Sequence, residues 1–340
     1  YHEREATPAP LRPRRRVVSD AASVQVGAGV YDHFWLADGC GGGGEMMTDE
    51  TRAKLSGKLV VASISGGKDS SAMSLYLTEN GIEHQRVFMD TGWESDITYA
   101  YLRGPLEKAL GHITWLTPPL QMEQLIRKKG MFPSRIRRYC TDDLKVAPMA
   151  KHIKHLTIAG HDVINTVGIR GAESAARSRL PEWEWSDRVK CDVWRPLLSW
   201  TLDDVIAIHQ RHGLAPNPLY LMGAKRVGCW PCINSSKSEI RLIAQRDPDR
   251  IVRLRVIESD VAQLANARAE KNGVELSNAP AWFQAPNGRT GTCWPIDKVV
   301  QWSRTIRGGT EEDRQELLFA GQNDGCMRWG MCETLAGDDK

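Results

Sequence analysis

"VVASISGGKDSSAMSLYL", residues 60–77, is the stretch that decides the fold. It opens on a β-branched apolar run suited to a buried strand and closes on a leucine-rich run suited to a helix. Between them stand Ser65, Gly66, Gly67, Lys68, Asp69, Ser70 and Ser71. Glycines adopt the positive φ values that aim successive N–H groups into one hollow, and they let a phosphate approach the backbone. The following helix adds the positive end of its dipole. The serines offer hydroxyls and Lys68 offers a charge for phosphate oxygens. The stretch therefore predicts a phosphate-binding loop between strand and helix. It is not a Walker A loop, because Lys68 is followed by Asp69 rather than Ser or Thr.

Outward from this turn, strands and helices alternate. Residues 58–64, 84–90, 112–117 and 162–169 read as strands, and 70–79, 95–110, 120–129 and a segment near 142–155 as helices. That alternation predicts βαβ units and a doubly wound, mostly parallel α/β sheet. Ligands of such sheets sit beyond the carboxyl ends of the strands. The glycine turn, "DTGWE" (90–94) and "GIRGAES" (168–174) all fall at those ends. Further on, 201–213 reads as a helix with Thr201 as N-cap and Gly213 as its stop. Ser236 and Glu239 form a capping box, and a long charged helix is expected over 249–272.

Three regions are expected: an extension over 1–46, disordered or non-native, a nucleotide-binding domain over 47–232, and a helical region over 233–340 with a cysteine-bearing tail. The extension holds "RPRRR" and "GGGG", a composition that cannot bury a core. Met46 and Met47 stand just before the regular part, and the natural start is expected at one of them. The 340 residues carry 45 Lys and Arg against 42 Asp and Glu, a net charge of +3, so the whole molecule is not a polycation. No run approaches the roughly 18 apolar residues of a membrane span. A cytoplasmic protein is expected, with no membrane partner. Its eight cysteines are then expected to be thiols or metal ligands rather than disulfides.

"SGGKDSS" resembles the pyrophosphate loop of the N-type ATP pyrophosphatases, in the adenine-nucleotide α-hydrolase-like superfamily. "FMDTGWESDITYAYL" (88–102), "YCTDDLKVAPM" (139–149), "GIRGAESAARSR" (168–179), "WRPLLSWTLDDV" (194–205) and "NPLYLMGAKRVGCWPC" (217–232) are similar, in order, to the phosphoadenosine phosphosulfate reductase family. The resemblance implies a sheet that binds an adenine nucleotide, ATP or an adenylyl sulfate. It assigns nucleotide contacts to Ser65, Gly66, Gly67, Lys68, Asp69, Ser70, Asp90, Thr91, Gly168 and Arg170. Taken alone, Asp90 is equally well a turn cap. Lys68, Asp69 and Arg170 are the expected catalytic set, with Mg²⁺ if the ligand is ATP. Arginine's planar fork suits phosphate or sulfate oxygens. Glu173 and Arg177, four apart, also read as a solvated helix pair, and Arg177 is left open.

Cys229 and Cys232 form C-x-x-C, half of a four-ligand metal site. Cys140 lies where cluster-containing relatives carry two adjacent cysteines, and Tyr139 replaces the first of them. The expected metal set is Cys140, Cys229, Cys232 and Cys326, with Cys293 or Cys332 as alternatives to the last. A 4Fe–4S cluster is the expectation, with zinc and free thiols as the competing assignments. The Glu-Cys-Gly-Leu/Ile-His tail segment of the family's reductases that act on activated sulfate is not found. Three functions compete. The first is an enzyme of sulfur-related transfer or reduction, which implies a sulfur donor or reductant protein. The second is a nucleic-acid-acting sulfurtransferase of the DNA phosphorothioation type. The third is a non-catalytic nucleotide or metal binder. The nucleic-acid reading draws on residues 127–154, where nine Lys or Arg face two Asp. A homo-oligomer is expected.

Overall fold

Val60, Val61 and Ala62 are buried on both faces of their strand, as the centre of a parallel sheet requires. In the computed structural model, which describes residues 47–276, 279–284 and 292–305, this strand is β1 (Leu59–Ile64). The others are β2 (His84–Met89), β3 (Ile113–Leu116), β4 (Val163–Val167), β5 (Trp183–Ser186) and β6 (Cys191–Trp194). Their order is β3-β2-β1-β4-β6-β5, parallel throughout except where β5 runs antiparallel to β6. The expected α/β sheet is present, with β1 at the switch between its two halves. The β5–β6 hairpin extends it: the sequence reads as a strand at Cys191, but its antiparallel partner Trp183–Ser186 is an addition. Its turn places Lys190 at φ 59°, and Trp183 stacks on Trp194 at 5.0 Å. The two runs "WEWS" and "CDVW" are too short and too charged to announce themselves as a pair. Cys191 is buried, as a small hydrophobe on a strand should be.

Proline reshapes two of the expected helices. The 95–110 segment is Asp96–Tyr101, a π turn Leu102–Leu106 that contains Pro105, and Glu107–Leu110. A proline cannot donate to the helical ladder, and a widened turn absorbs the missing bond. The helix near 142–155 is likewise Tyr139–Thr141, a π turn Asp142–Val146 and Ala147–Ile158, with Pro148 just after the wide turn. The capping boxes at Thr201 and Ser236 both form, and the long helix is Pro248–Lys271.

One face of the sheet packs Val61, Val87, Val163 and Val193 on Met149 and Ile153. The other packs Val60, Ile64 and Ile164 on Met73, Leu77, Val205 and Ile208. A third cluster joins Trp93, Leu125 and Leu144 to Ile240, Leu254, Ile257, Trp282 and Ile296. The helices after 233 therefore share a core with the loops that follow β2 and β3. Glu258 ties that core together. Its buried carboxylate accepts the Trp282 N–H at 3.1 Å and the Ile296 N–H at 2.9 Å. Residues 1–46 and the tail beyond 305, with Cys326 and Cys332, lie outside the described residues. No described helix is long and apolar enough to cross a membrane.

Two histidines make this fold acid-sensitive. Burial lowers the pKa of both His84 and His209 from 6.5 to about 4. His209 is 1% exposed, and its Nδ1–H donates to the Val205 carbonyl at 2.7 Å. The folded chain holds both rings neutral, so their contribution is intact above pH 6.5 and is lost as pH falls toward 4. For His209 alone the loss is about 3 kcal/mol when complete. Urea unfolding at pH 7.5, 6 and 4.5 should show this fall, and His209→Gln should flatten it. Equal slopes for the two proteins would refute the assignment.

Candidate functional site

The site begins where β1 ends. Gly66 sits at φ 74°, a value its neighbours' side chains would resist, and a Cβ there would stand 3.0 Å from the Thr98 methyl. The Ser65 N–H donates to Ser70 Oγ at 3.1 Å, and the Gly67 N–H donates to Ser65 Oγ at 3.3 Å. Ser70 and Ser71 each donate their hydroxyl to the Gly67 carbonyl, at 2.9 and 3.1 Å. These bonds fold the turn onto the start of the helix Lys68–Glu79, two residues earlier than the sequence pattern suggests. Helix N–H groups without internal partners collect there.

The charges converge on one carboxylate. Arg170 Nε donates to Asp69 Oδ1, and Lys68 Nζ stands 3.3 Å from Asp69 Oδ2. Arg170 is 6% exposed and follows β4, so two neighbouring strand ends supply the pair. Gly168 makes the approach close. A Cβ on it would stand 2.7 Å from the Asp69 carbonyl oxygen. Burial, and the nearby Arg170 and Arg177, lower the Lys68 pKa against the pull of Asp69. Burial lowers that of Arg177, and Asp69, Arg226, Arg170 and Arg138 all act on it. Arg177 also pairs with Glu173, as its spacing suggests. The predicted residues Ser65, Gly66, Gly67, Lys68, Asp69, Ser70, Gly168 and Arg170 are thus brought together.

Asp90 and Thr91 close β2, beside the loop. Their side chains are engaged in a turn network. Asp90 Oδ1 accepts the Gly92 N–H at 3.0 Å and the Tyr99 hydroxyl at 2.7 Å. Thr91 donates to Glu94 at 2.8 Å. Burial, with the Glu94 and Asp90 charges, raises the Tyr99 pKa. Thr98, one residue before Tyr99, carries this turn against Gly66.

Sequence reasoning gave no role to Asn217 and Tyr220. Asn217 Nδ2 donates to the Gly66 carbonyl at 3.2 Å and to Thr98 Oγ1 at 3.3 Å. The Tyr220 hydroxyl accepts the Lys68 N–H at 3.2 Å, and Lys68 Nζ lies 4.9 Å from the Tyr220 ring centre. The signal was an asparagine N-cap with proline behind it, "NPLY", which starts the helix Pro218–Leu221.

The thiols gather at a second place. Glu94 and Cys229 form a backbone bridge, and the Trp230 N–H donates to the Trp93 carbonyl at 2.8 Å. Burial raises the Cys229 pKa to about 11 and also raises that of Cys140. Lys145 stands among them. The Cys229 sulfur raises the lysine's pKa, opposed by burial and helped by Glu94, Cys232 and Cys140. The Cys232 sulfur accepts the Asn234 N–H at 3.5 Å and also bonds Arg226. Among the described residues, no group of three or more His, Cys, Asp or Glu is arranged to hold a metal ion. Cys326 falls outside those residues. The donor set, as placed, does not by itself fit a metal centre.

The phosphoadenosine phosphosulfate reductase domain model matches residues 59–235. A 37.8 kDa uncharacterized protein of Escherichia phage 186 is 31% identical, over 80% of this chain and 96% of its own length. An adenosine 5'-phosphosulfate reductase of Allochromatium vinosum is 30% identical over 28% of this chain, and this chain spans 35% of that protein. A phosphoadenylyl-sulfate reductase structure from Candida auris superposes with a TM-score of 0.42 at 20% identity, covering 53% of this chain and 85% of that one. The chain belongs to the phosphoadenosine phosphosulfate reductase domain family.

Proposed function

From membership of this family and the geometry of the loop, we propose an enzyme that binds an adenine nucleotide at Ser65–Ser71. Its chemistry is sulfur-related transfer or reduction. The observation that carries the reading is the sharing of one carboxylate, Asp69, by two cations, Lys68 and Arg170. Asp69 neutralises only one of them, so the mouth of the loop keeps an excess of positive charge for phosphate or sulfate. With ATP, the loop holds the β,γ-pyrophosphate and an acceptor attacks the α-phosphorus. The bond from that phosphorus to the bridging oxygen breaks, and pyrophosphate leaves. Lys68 and Arg170 stabilise the charge that develops, and Mg²⁺, if the ligand is ATP, would supply further charge neutralisation. With an adenylyl sulfate, the same two cations hold the phosphosulfate. The family resemblance assigns Asp90 and Thr91 to contacts with the nucleotide.

Exchange of labelled pyrophosphate into ATP is the test. Exchange supports the ATP form, and turnover of adenylyl sulfate without exchange supports the other form. Neither activity in pure, folded protein would sink the proposal. A 4Fe–4S cluster on Cys140, Cys229, Cys232 and Cys326, or zinc in its place, rests on the family alone, and no step here runs through it. A sulfur donor or reductant protein and a homo-oligomeric assembly are further expectations of the proposal.

A second reading, a sulfurtransferase acting on nucleic acid, is favoured by one loop. Arg135, Ile136, Arg137 and Arg138 are all exposed, Ile136 at 83%. Arg138 acts electrostatically on both Arg177 and Cys140, so this basic loop borders the site. Binding of single- or double-stranded DNA that weakens linearly with log salt supports it, and salt-independent or absent binding rejects it.

A further inference from the structure

The segment 217–220 grips the phosphate loop from both sides. Asn217, 1% exposed, holds the Gly66 carbonyl. Tyr220, 6% exposed, takes the Lys68 N–H on its phenol oxygen at 3.2 Å. That N–H belongs to the first residue of the helix, one of the donors a bound phosphate would use. Glycine at residue 67 leaves the phenol room to reach it, since a Cβ there would stand 3.3 Å from the phenol oxygen and press it back by a few tenths of an ångström. The same missing Cβ lets a phosphate approach. The ring also lies under Lys68 Nζ, the cation assigned to the phosphate oxygens.

We propose that Tyr220 is the resident occupant of the anion hollow, displaced from the Lys68 N–H when a phosphate binds, while Asn217 is a positioning residue that keeps the loop in shape. This rests on the reading of Ser65–Ser71 as a phosphate loop. A neutral phenol oxygen is a weaker acceptor than a charged phosphate oxygen, so the exchange runs toward the ligand. Burial and the Asp69 charge keep the phenol protonated, so it competes as a neutral group. Backbone bonding to Val227 gives the phenol a second contact beside the loop.

The test is titration of the full chain with inorganic pyrophosphate, for wild type, Tyr220→Phe and Asn217→Ala. Tyr220→Phe keeps the ring beneath Lys68 and removes the competing oxygen. It should bind pyrophosphate about five-fold more tightly. Asn217→Ala, which releases the Gly66 carbonyl, should bind more weakly. Opposite signs from two residues of one short segment cannot come from general loosening. A tyrosine absorption difference near 290 nm should accompany binding in wild type and vanish in Tyr220→Phe. Equal or weaker binding by Tyr220→Phe, with wild type still binding, would overturn this inference and leave the phosphate loop standing. Binding by none of the three would overturn both.

Discussion

Lys68→Ala should bind ATP and pyrophosphate about 100-fold more weakly than wild type. Lys68 is 11% exposed at its side chain, with Asp69 on one side and the Tyr220 ring on the other. Its ammonium is the one cation carried by the loop itself, and a charge-assisted bond to a phosphate oxygen contributes about 2–3 kcal/mol. The fold should survive the change. Asp69 keeps Arg170, and burial already works against the lysine's charge. A melting temperature within about 4 °C of wild type, with the loss of affinity, is the expected pair of results. Unchanged affinity would remove Lys68 from the site.

Gly168→Ala should be more damaging than its size suggests. The new Cβ would stand 2.7 Å from the Asp69 carbonyl oxygen, 2.9 Å from the Asp69 carbonyl carbon and 3.0 Å from Ser70 Cα. All three atoms are backbone, so no side chain can swing away. The start of the helix Lys68–Glu79 must move off β4, and it carries Lys68, Asp69 and Ser70 with it. Overpacking of this kind costs about 1–3 kcal/mol. Binding should fall by more than about 100-fold, because donors must sit within a few tenths of an ångström to keep a charge-assisted bond. Gly104→Ala is the matched control, with nothing within 4 Å of its added Cβ and no positive φ. It should leave nucleotide affinity unchanged and, at an exposed helical glycine, hold or slightly raise the urea midpoint. A Gly168→Ala protein that matches this control would show that the close approach does not set the loop.

The parts of the fold that were legible are those where one segment decides its own structure. "VVASI" needs both faces buried, so it sits at the sheet's centre, and Thr201 and Ser236 cap helices by themselves. A strand at Cys191 was legible, but its pairing into the β5–β6 hairpin was not, because it depends on Trp183 and Trp194 stacking on each other. Neither were the π turns, where Pro105 and Pro148 widen the helix without ending it. The same division runs through the site. The Ser65–Ser71 turn states its chemistry in consecutive residues. The Asp69–Arg170 pair bridges 101 positions, and its partners could be named but not joined. Asn217 and Tyr220 act on a loop about 150 positions away, 151 for the Asn217 bond to Gly66. Nothing in "NPLY" says which backbone it will hold. Lys145 is similar, since it becomes notable only when Cys140, Cys229 and Cys232 fold around it.

The central claim is that Ser65–Ser71 binds the phosphates of an adenine nucleotide. Calorimetric titration of the full chain with ATP and Mg²⁺ tests it most directly. The account predicts saturable binding at one site, competed by pyrophosphate and weakened by Lys68→Ala. A flat titration with ATP, pyrophosphate and adenylyl sulfate alike, on protein shown to be folded, would contradict it.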